Sequence, residues 1–580
     1  MPSLRLMLIA LVQGVGLYLC GQLSSAPMAD TQQAVLATAF TLLAFGPTAY
    51  YLCDRTSAPR RQVVLLAIAA VLIAALAGYS QWMGQPGTTS ERFTSLGRVQ
   101  LVSLVLWVLA LPLIQLRADG HALTNYPALF RASWRDAILV IDAAVFTGIF
   151  WAVLFLGAQL FDVIGLRFFS ELIRKSAFAW PATTVCFAYA VQLCRHHAVM
   201  VESIQRHALS ACKWLLPLTL LIGAGFVLAL PFTGLKALWA TRYAATLLLW
   251  LLAVSALFIN AAYGDGSEAP GYPRWLAALL RLFTLALPVL AGLALTALWL
   301  RIQQHGLTIE RIWGVLVALT GCVYALGYAL AALRGGAWLG GIGRVNVAVA
   351  IGLLVAIALL VSPVLEQHRL ALNSQLARLT AGKVTAEKFD YDALRFDMGR
   401  PGRAALAKLA ADTTLANHTE INRRATLALA KTQRWGNGAK SVDFDAVLAS
   451  TKIYPTGATL PADFIDYARA HHENFISLAC QRGDAATCGL IVLDLDGDGQ
   501  PEILPAVPQY RPQIYARTSA GWQTIGYLEI SLRGCRHDTT DADAATATAA
   551  KPLWNDLLIG QERWMVIPDR AADCATNKKP

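Results

Sequence analysis

A chain of 580 residues that is 56% hydrophobic, 15% charged and +0.49 in mean hydropathy lies far from soluble domains, which carry about 25% charged residues. It is read as largely membrane-embedded. The net charge of +11 does not call for nucleic acid: residues 364–580 hold 25 Lys+Arg and 25 Asp+Glu, so the excess is the 23 basic against 12 acidic residues of 1–363, where short basic loops are expected to face the cytoplasm.

Eleven runs of about 20 apolar residues follow in chain order, at roughly 6–23, 31–53, 62–83, 99–116, 137–161, 176–194, 210–231, 237–262, 275–300, 312–333 and 345–363. Each is expected to be helical, because a segment alone in hydrocarbon satisfies its backbone only internally. Arg55, Arg60 and Arg61, then Arg117, Arg131 and Arg135, then Arg195, Arg206 and Lys213 mark alternate loops as cytoplasmic. The loops between them, including "GQLSSAPMAD" and "GQPGTTSER", are polar with few cations. One external loop, "DVIGLRFFSELIRKS", carries Arg167, Arg174 and Lys175 against that trend.

The first run also has the layout of a cleaved signal peptide, with Arg5 before an apolar core and small residues at "SSAPMAD"; Cys20 follows a leucine and is not a convincing lipidation site. Eleven crossings from a cytoplasmic N-terminus deliver the remaining chain to the outer face. Six cysteines, Cys20, Cys53, Cys186, Cys194, Cys212 and Cys322, lie in or beside apolar runs, where a thiol acts as a small hydrophobe. The other four, Cys480, Cys488, Cys535 and Cys574, fit two disulfides in an oxidising compartment or four free thiols.

Two stretches, "RIQQHGLTIERIWGVLVAL" and "VLEQHRLALNSQLARLTAGKVTAEKFDYDALRFDMGRPGRAALAKL", resemble a bacterial inner-membrane family catalogued as domain of unknown function 4153, over most of residues 1 to 410. The resemblance implies a polytopic architecture and a bacterial envelope location, with no catalytic residue to inherit. Physically, the first stretch is a helix reversal: Gly306 stops one helix, Thr308 caps the next, and Glu310 complements its dipole. In the second, Leu370, Leu372, Leu376 and Leu379 approximate one helical stripe, followed by turns at "FDYD" and "MGRPGR". Residues 364–435 are thus expected to form a helical stalk between the membrane part, 1–363, and an α+β domain, 436–580. In that domain "PADFIDYARAHHENFISLAC" reads as a helix, "GLIVLD", "PEILPAV", "QIYAR", "WQTIGYLEI" and "RWMVIP" as strands, and "TSAG" before Trp522 as a hairpin turn. "DTTDADAATATAA" is low-complexity.

The segment "GLIVLDLDGDGQPEILPA" carries the most specific pattern. Asp494, Asp496 and Asp498 occupy positions 1, 3 and 5 of a calcium loop, Gly499 position 6, Gln500 offers a carbonyl from position 7, and Glu502 stands at position 9. Position 12 is Pro505 and the flanks are strand-like, which argues against an EF-hand and for a strand-loop-strand turn. Crowded carboxylates repel unless a divalent cation or ample water offsets them, and hard oxygen ligands favour Ca2+ over zinc. A solvated Asp/Gly turn without metal is the competing reading.

No nucleophile elbow, phosphate-cradling loop or zincin motif is present, and the glycines of "RGGAWLGGIGR" follow no strand. His196, His197, Glu202 and His207 do not share one helical face, and "AHHENF" at 470–475 has the same fault. Within the spans, Asp142 and Arg242 are functional suspects because charge is costly there. The leading expectation is a non-enzymatic envelope protein that senses, binds or scaffolds an envelope protein or glycan partner. A transporter or flippase with a path near Asp142 is the first alternative. A membrane enzyme acting on lipid or glycan, with His305, Glu310 and Arg242 converging, is the second.

Overall fold

The computed structural model describes residues 4–24, 28–53, 59–84, 92–196, 198–235, 243–267, 271–334, 338–415 and 417–431, then 434, 448–449, 451–470, 489–506, 513–519, 521–527, 546–549, 557–559 and 562–564. Two compact units divide at Leu429/Ala430.

Among the described residues, eleven spans in the first unit are long and apolar enough to cross a membrane. They are Leu4–Ser24 (α1), Asp30–Leu52 (α2), Pro59–Met83 (α3), Arg92–Ala118 (α4), Tyr126–Val163 (α5), Ser176–His196 (α7), Ala198–Thr233 (α8), Ala244–Tyr263 (α9), Arg274–Thr284 with Leu287–His305 (α10 and α11, one span), Ile309–Leu333 (α12) and Ile342–Leu360 (α13). The cation-bearing loop between α5 and α7, expected to be external, contains a short helix, Phe168–Arg174 (α6). At about 1.5 Å of rise per residue it is far too short to add a crossing, and Ser170 anchors it to Asp162 at 2.8 Å. Large side chains such as Val108, Leu156 and Leu247 are exposed along the spans, an arrangement that lipid tolerates and water does not.

Between the spans, polar groups find one another because hydrocarbon offers them no alternative. Gln13 of α1 donates to Ala44 O and Thr48 Oγ1 of α2 and accepts from Tyr51. Gly14 lets α1 approach α7, since a Cβ there would lie 2.4 Å from Pro181 Cα. The first run therefore packs against α2 and α7, and stripping it away would leave Tyr51 without this acceptor. Asn260, Tyr328 and Asn346 close a ring of hydrogen bonds among α9, α12 and α13, with separations of 2.8, 2.7 and 2.5 Å. At the end expected to be cytoplasmic, Arg135 and Gln115 hold the buried Asp136, Arg195 donates to Leu52 O, and Arg131 pairs with Asp265 at 2.8 Å. The six cysteines of this unit are free thiols, four of them buried.

Within residues 364–435, expected as a stalk, the described residues up to Ala430 fold back on the span ends. Four helices, Gln367–Thr380 (α14), Tyr391–Phe396 (α15), Gly399–Ala411 (α16) and His418–Ala430 (α17), bury Leu372, Leu379, Leu394, Met398, Leu406 and Ile421 in one core with Ile312 and Leu360 of the spans. Each such side chain contributes about 1.5–3 kcal/mol on burial, far more than a free-standing stalk gains. The buried stripe of α14 runs through His368, Ala371, Leu372 and Leu379. Leu370 lies off it at 37% exposure, because two residues before Leu372 means a rotation of about 200° at 3.6 residues per turn. "MGRPGR" opens α16 rather than forming a loop. Arg403 pairs with Asp30 at 3.3 Å, Arg400 stacks on Trp82 at 4.3 Å, and Trp313 donates to Gln367 at 2.8 Å. The start of α2, the end of α3, the start of α12 and the end of α13 thus share the end of the bundle that carries this cap. They are the ends that strict alternation of crossings places together.

The second unit has a five-stranded sheet in the order β1(Lys452–Tyr454), β2(Gly489–Leu493), β3(Glu502–Pro505), β4(Gln513–Thr518), β5(Gly521–Tyr527), with only β1–β2 parallel. Leu557–Ile559 and Glu562–Trp564 form a separate ribbon. "GLIVL" is apolar throughout because both faces of the sheet are covered. Leu490 and Val492 meet Phe464 of the helix Ala462–Ala470, and Ile491 meets Tyr454 and Leu504. The hairpin before Trp522 is present, with Thr518 opposite Gly521.

Candidate functional site

Antiparallel pairing of β2 with β3 runs out to Leu493 opposite Glu502, so the residues between them must reverse the chain. Gly497 and Gly499, with φ of +82° and +86°, take the left-handed conformations this requires. Aspartates hold the remaining backbone. Asp494 accepts from the amides of Gly497 and Gly499 at 2.7 and 3.0 Å, Asp496 from Asp498 at 3.1 Å, and Asp498 from Gln500 at 2.7 Å. Glu502 is anchored in the sheet, 4% exposed, and accepts from Leu495 N at 2.7 Å.

Carboxylate oxygens of Asp494, Asp496 and Glu502 all lie within 4.8 Å of one another. Oxygens on opposite sides of one calcium ion, at ligand distances of about 2.3–2.6 Å, stand about 5 Å apart, so this trio matches the span of a single cation. Of the five residues singled out in the sequence, the structure brings these three together. Asp498 is outside the group, its Oδ1 turned to the Gln500 amide, and Gln500 enters the turn through that N–H. Burial, reinforced by the charges of Asp496, Asp494 and Asp498, pushes the Glu502 carboxyl up from the ordinary carboxylate range, against a smaller lowering by Leu495 N–H.

Among the described residues no other group of three His, Cys, Asp or Glu is close enough to hold a metal ion. His196, Glu202 and His207 are exposed. Glu202 lines a cavity of about 680 Å³ with Asp119, His121, Arg131, Arg135 and Arg206, assembled from the α4–α5 turn and from α5 and α8 and therefore invisible to spacing. Asp142 is half-buried in an unbroken α5, with Oδ2 lacking a hydrogen-bond partner. His305 lines a cavity with Arg301 and Arg311, whereas Glu310 is exposed and outside it. Arg242, His197, residues 471–475 and all four of Cys480, Cys488, Cys535 and Cys574 lie outside the described residues.

Lipid-facing spans, a helical cap docked on their ends and a small sheet unit make this a multi-pass membrane protein in contact with the bilayer. The chain belongs to the family described as domain of unknown function (DUF4153), whose model matches residues 37–409. The match runs from within α2 to near the end of α16 and leaves the acidic turn outside it. No curated protein and no solved structure matches the chain.

Proposed function

We propose that the chain is a bacterial inner-membrane protein with a cytoplasmic N-terminus, whose cap and C-terminal unit face the periplasm. The acidic turn binds Ca2+ as a structural ion, and the unit it shapes senses, binds or scaffolds an envelope protein or glycan. One observation carries the metal reading: three carboxylates converge within the reach of one cation, and one of them is buried in the sheet. Buried like charges at this spacing raise a carboxyl's proton affinity, and a divalent cation relieves the same repulsion without a proton. Support for the orientation comes from the basic loops, which alternate with polar ones; the cap's contacts with the start of α2, the end of α3, the start of α12 and the end of α13 fit an odd number of crossings.

Hydrogen exchange on the full-length protein in detergent tests the site, read at the amides of residues 489–506. Millimolar Ca2+ is expected to slow exchange at Leu495, Gly497, Gly499 and Gln500, with Mg2+ much less effective, because Mg2+ demands near-octahedral geometry; Asp494→Ala abolishes the response. Equal exchange with Ca2+ and with a chelator defeats the reading. Without metal, the raised Glu502 carboxyl binds its proton more tightly in the folded state. Its contribution to stability is therefore full below the ordinary carboxylate range and is lost as pH rises through the raised value. Protection of the metal-free turn should increase on mild acidification, and Glu502→Gln should remove both that pH response and the Ca2+ response.

A further inference from the structure

A second candidate site lies in the membrane unit, where the turn joining α11 to α12 meets the cap. A cavity of about 400 Å³ opens there, lined by Arg301, Arg311, Arg378 and Lys388 on its charged side and by Val384, Phe389 and Met398 among its apolar residues. Asp390 is the single carboxylate in the lining, and its side chain is engaged as the cap of α15, accepting from Ala393 N at 2.8 Å. Glu310, whose charge reaches Arg311, is exposed and does not line the cavity.

Two of the guanidinium groups are fixed in place by neutral partners. Arg378 donates to the carbonyls of Gln303 and Gln304 at 2.9 and 2.7 Å, and Arg311 to Gly306 O at 2.6 Å. Gln375 adds donations to His305 O and Leu307 O, and Leu307 N donates to Ser374. Carbonyl acceptors orient a guanidinium without cancelling its charge. The result is a concavity whose lining holds four cations and one carboxylate, two of the cations fixed in place, a composition well matched to a compact polyanion.

Depth narrows the ligand. Arg301 is one turn from the end of one span and Arg311 lies in the first turn of the next, so the cavity sits at the boundary of the hydrocarbon, the level at which lipid phosphates lie. Its volume suits a headgroup and not a whole lipid, and the apolar wall of Val384, Phe389 and Met398 can take the first carbons of an acyl or glyceryl chain. Every lining residue falls inside the family match over 37–409.

We propose that this cavity is a phosphate site, filled by the phosphate of an anionic membrane lipid headgroup or by inorganic phosphate. It stands independently of the calcium reading and of which membrane face the cap occupies.

Full-length protein in a neutral detergent is titrated with short-chain phosphatidylglycerol in one arm and inorganic phosphate in the other, with retained ligand read by native mass spectrometry and by thermal melting. Saturable binding is expected in at least one arm. Phosphatidylglycerol alone identifies a lipid source, and competition by inorganic phosphate identifies the free ion. The double variant Arg301→Gln/Lys388→Gln should weaken binding about tenfold or more, the loss of charge-assisted contacts. The matched charge loss Arg174→Gln/Lys175→Gln, in the loop that alternation puts at the same end of the bundle, should leave binding unchanged. No saturable binding in either arm overturns the site, as does equal loss in both double variants. Should Arg301→Gln/Lys388→Gln melt far below wild type before ligand is added, Lys388→Gln alone, on an exposed side chain, provides the comparison.

Discussion

Gly399→Ala should undock the cap. Gly399 has φ of +52°, and an added Cβ would lie 2.1 Å from Met83 O and 2.9 Å from Gly84 Cα at the end of α3. Both neighbours are backbone and cannot swing aside. Left-handed geometry costs a residue with a Cβ roughly 1–2 kcal/mol and overpacking roughly 1–3 kcal/mol more, so the expected loss is about 2–5 kcal/mol. Limited proteolysis of the purified variant should cut within 364–429 at protease levels that spare the wild type, while the spans stay protected by detergent. A variant as resistant as wild type would mean that the cap is not clamped to α3.

Glu366 gives the second large effect. It begins α14, is 3% exposed, and accepts from His368 N at 3.2 Å, Arg369 N at 2.9 Å and His368 Nδ1 at 2.6 Å. Burial alone would raise its carboxyl, but the His368 ring and these backbone donors outweigh it and hold the carboxyl below the ordinary range. A folded-state value below the unfolded one contributes stability above the unfolded value and loses it as pH falls through the folded one. Cap docking should therefore weaken as pH falls below the ordinary carboxylate range, opposite in sign to the metal-free acidic turn. Glu366→Ala removes a helix cap worth about 1 kcal/mol and leaves buried donors unpaired at about 1–3 kcal/mol. Thermal melting across pH checks both; a Glu366→Gln protein with an unchanged acid limb would remove Glu366 as its cause.

The spans were legible because each is one uninterrupted apolar run, and a membrane leaves such a run only one secondary structure. Polar seams were not: Gln13, Asn260 and Asn346 look like isolated blemishes in sequence, and only packing shows that each has its partners. The amphipathic pattern of 367–430 revealed helices with an apolar side and nothing about the surface that side covers, so a docked cap read as a stalk. The acidic turn was readable because its residues fall between Asp494 and Glu502. Even there, spacing did not separate Asp494, Asp496 and Glu502, whose carboxylates converge, from Asp498, whose Oδ1 accepts from Gln500 N. The basic cavity gathers residues from 301 to 388 across a helix reversal and a cap. Both stretches carried the family resemblance, yet each alone reads as a turn or a stripe.

Fusions placed after Pro580 test most directly whether the capped end of the bundle faces outward. In bacterial cells, alkaline phosphatase joined there should be active, since it matures only outside the cytoplasm, and a fluorescent protein that folds only in the cytosol should stay dark. A bright fluorescent fusion with an inactive phosphatase would put the acidic turn in the cytoplasm and contradict the account.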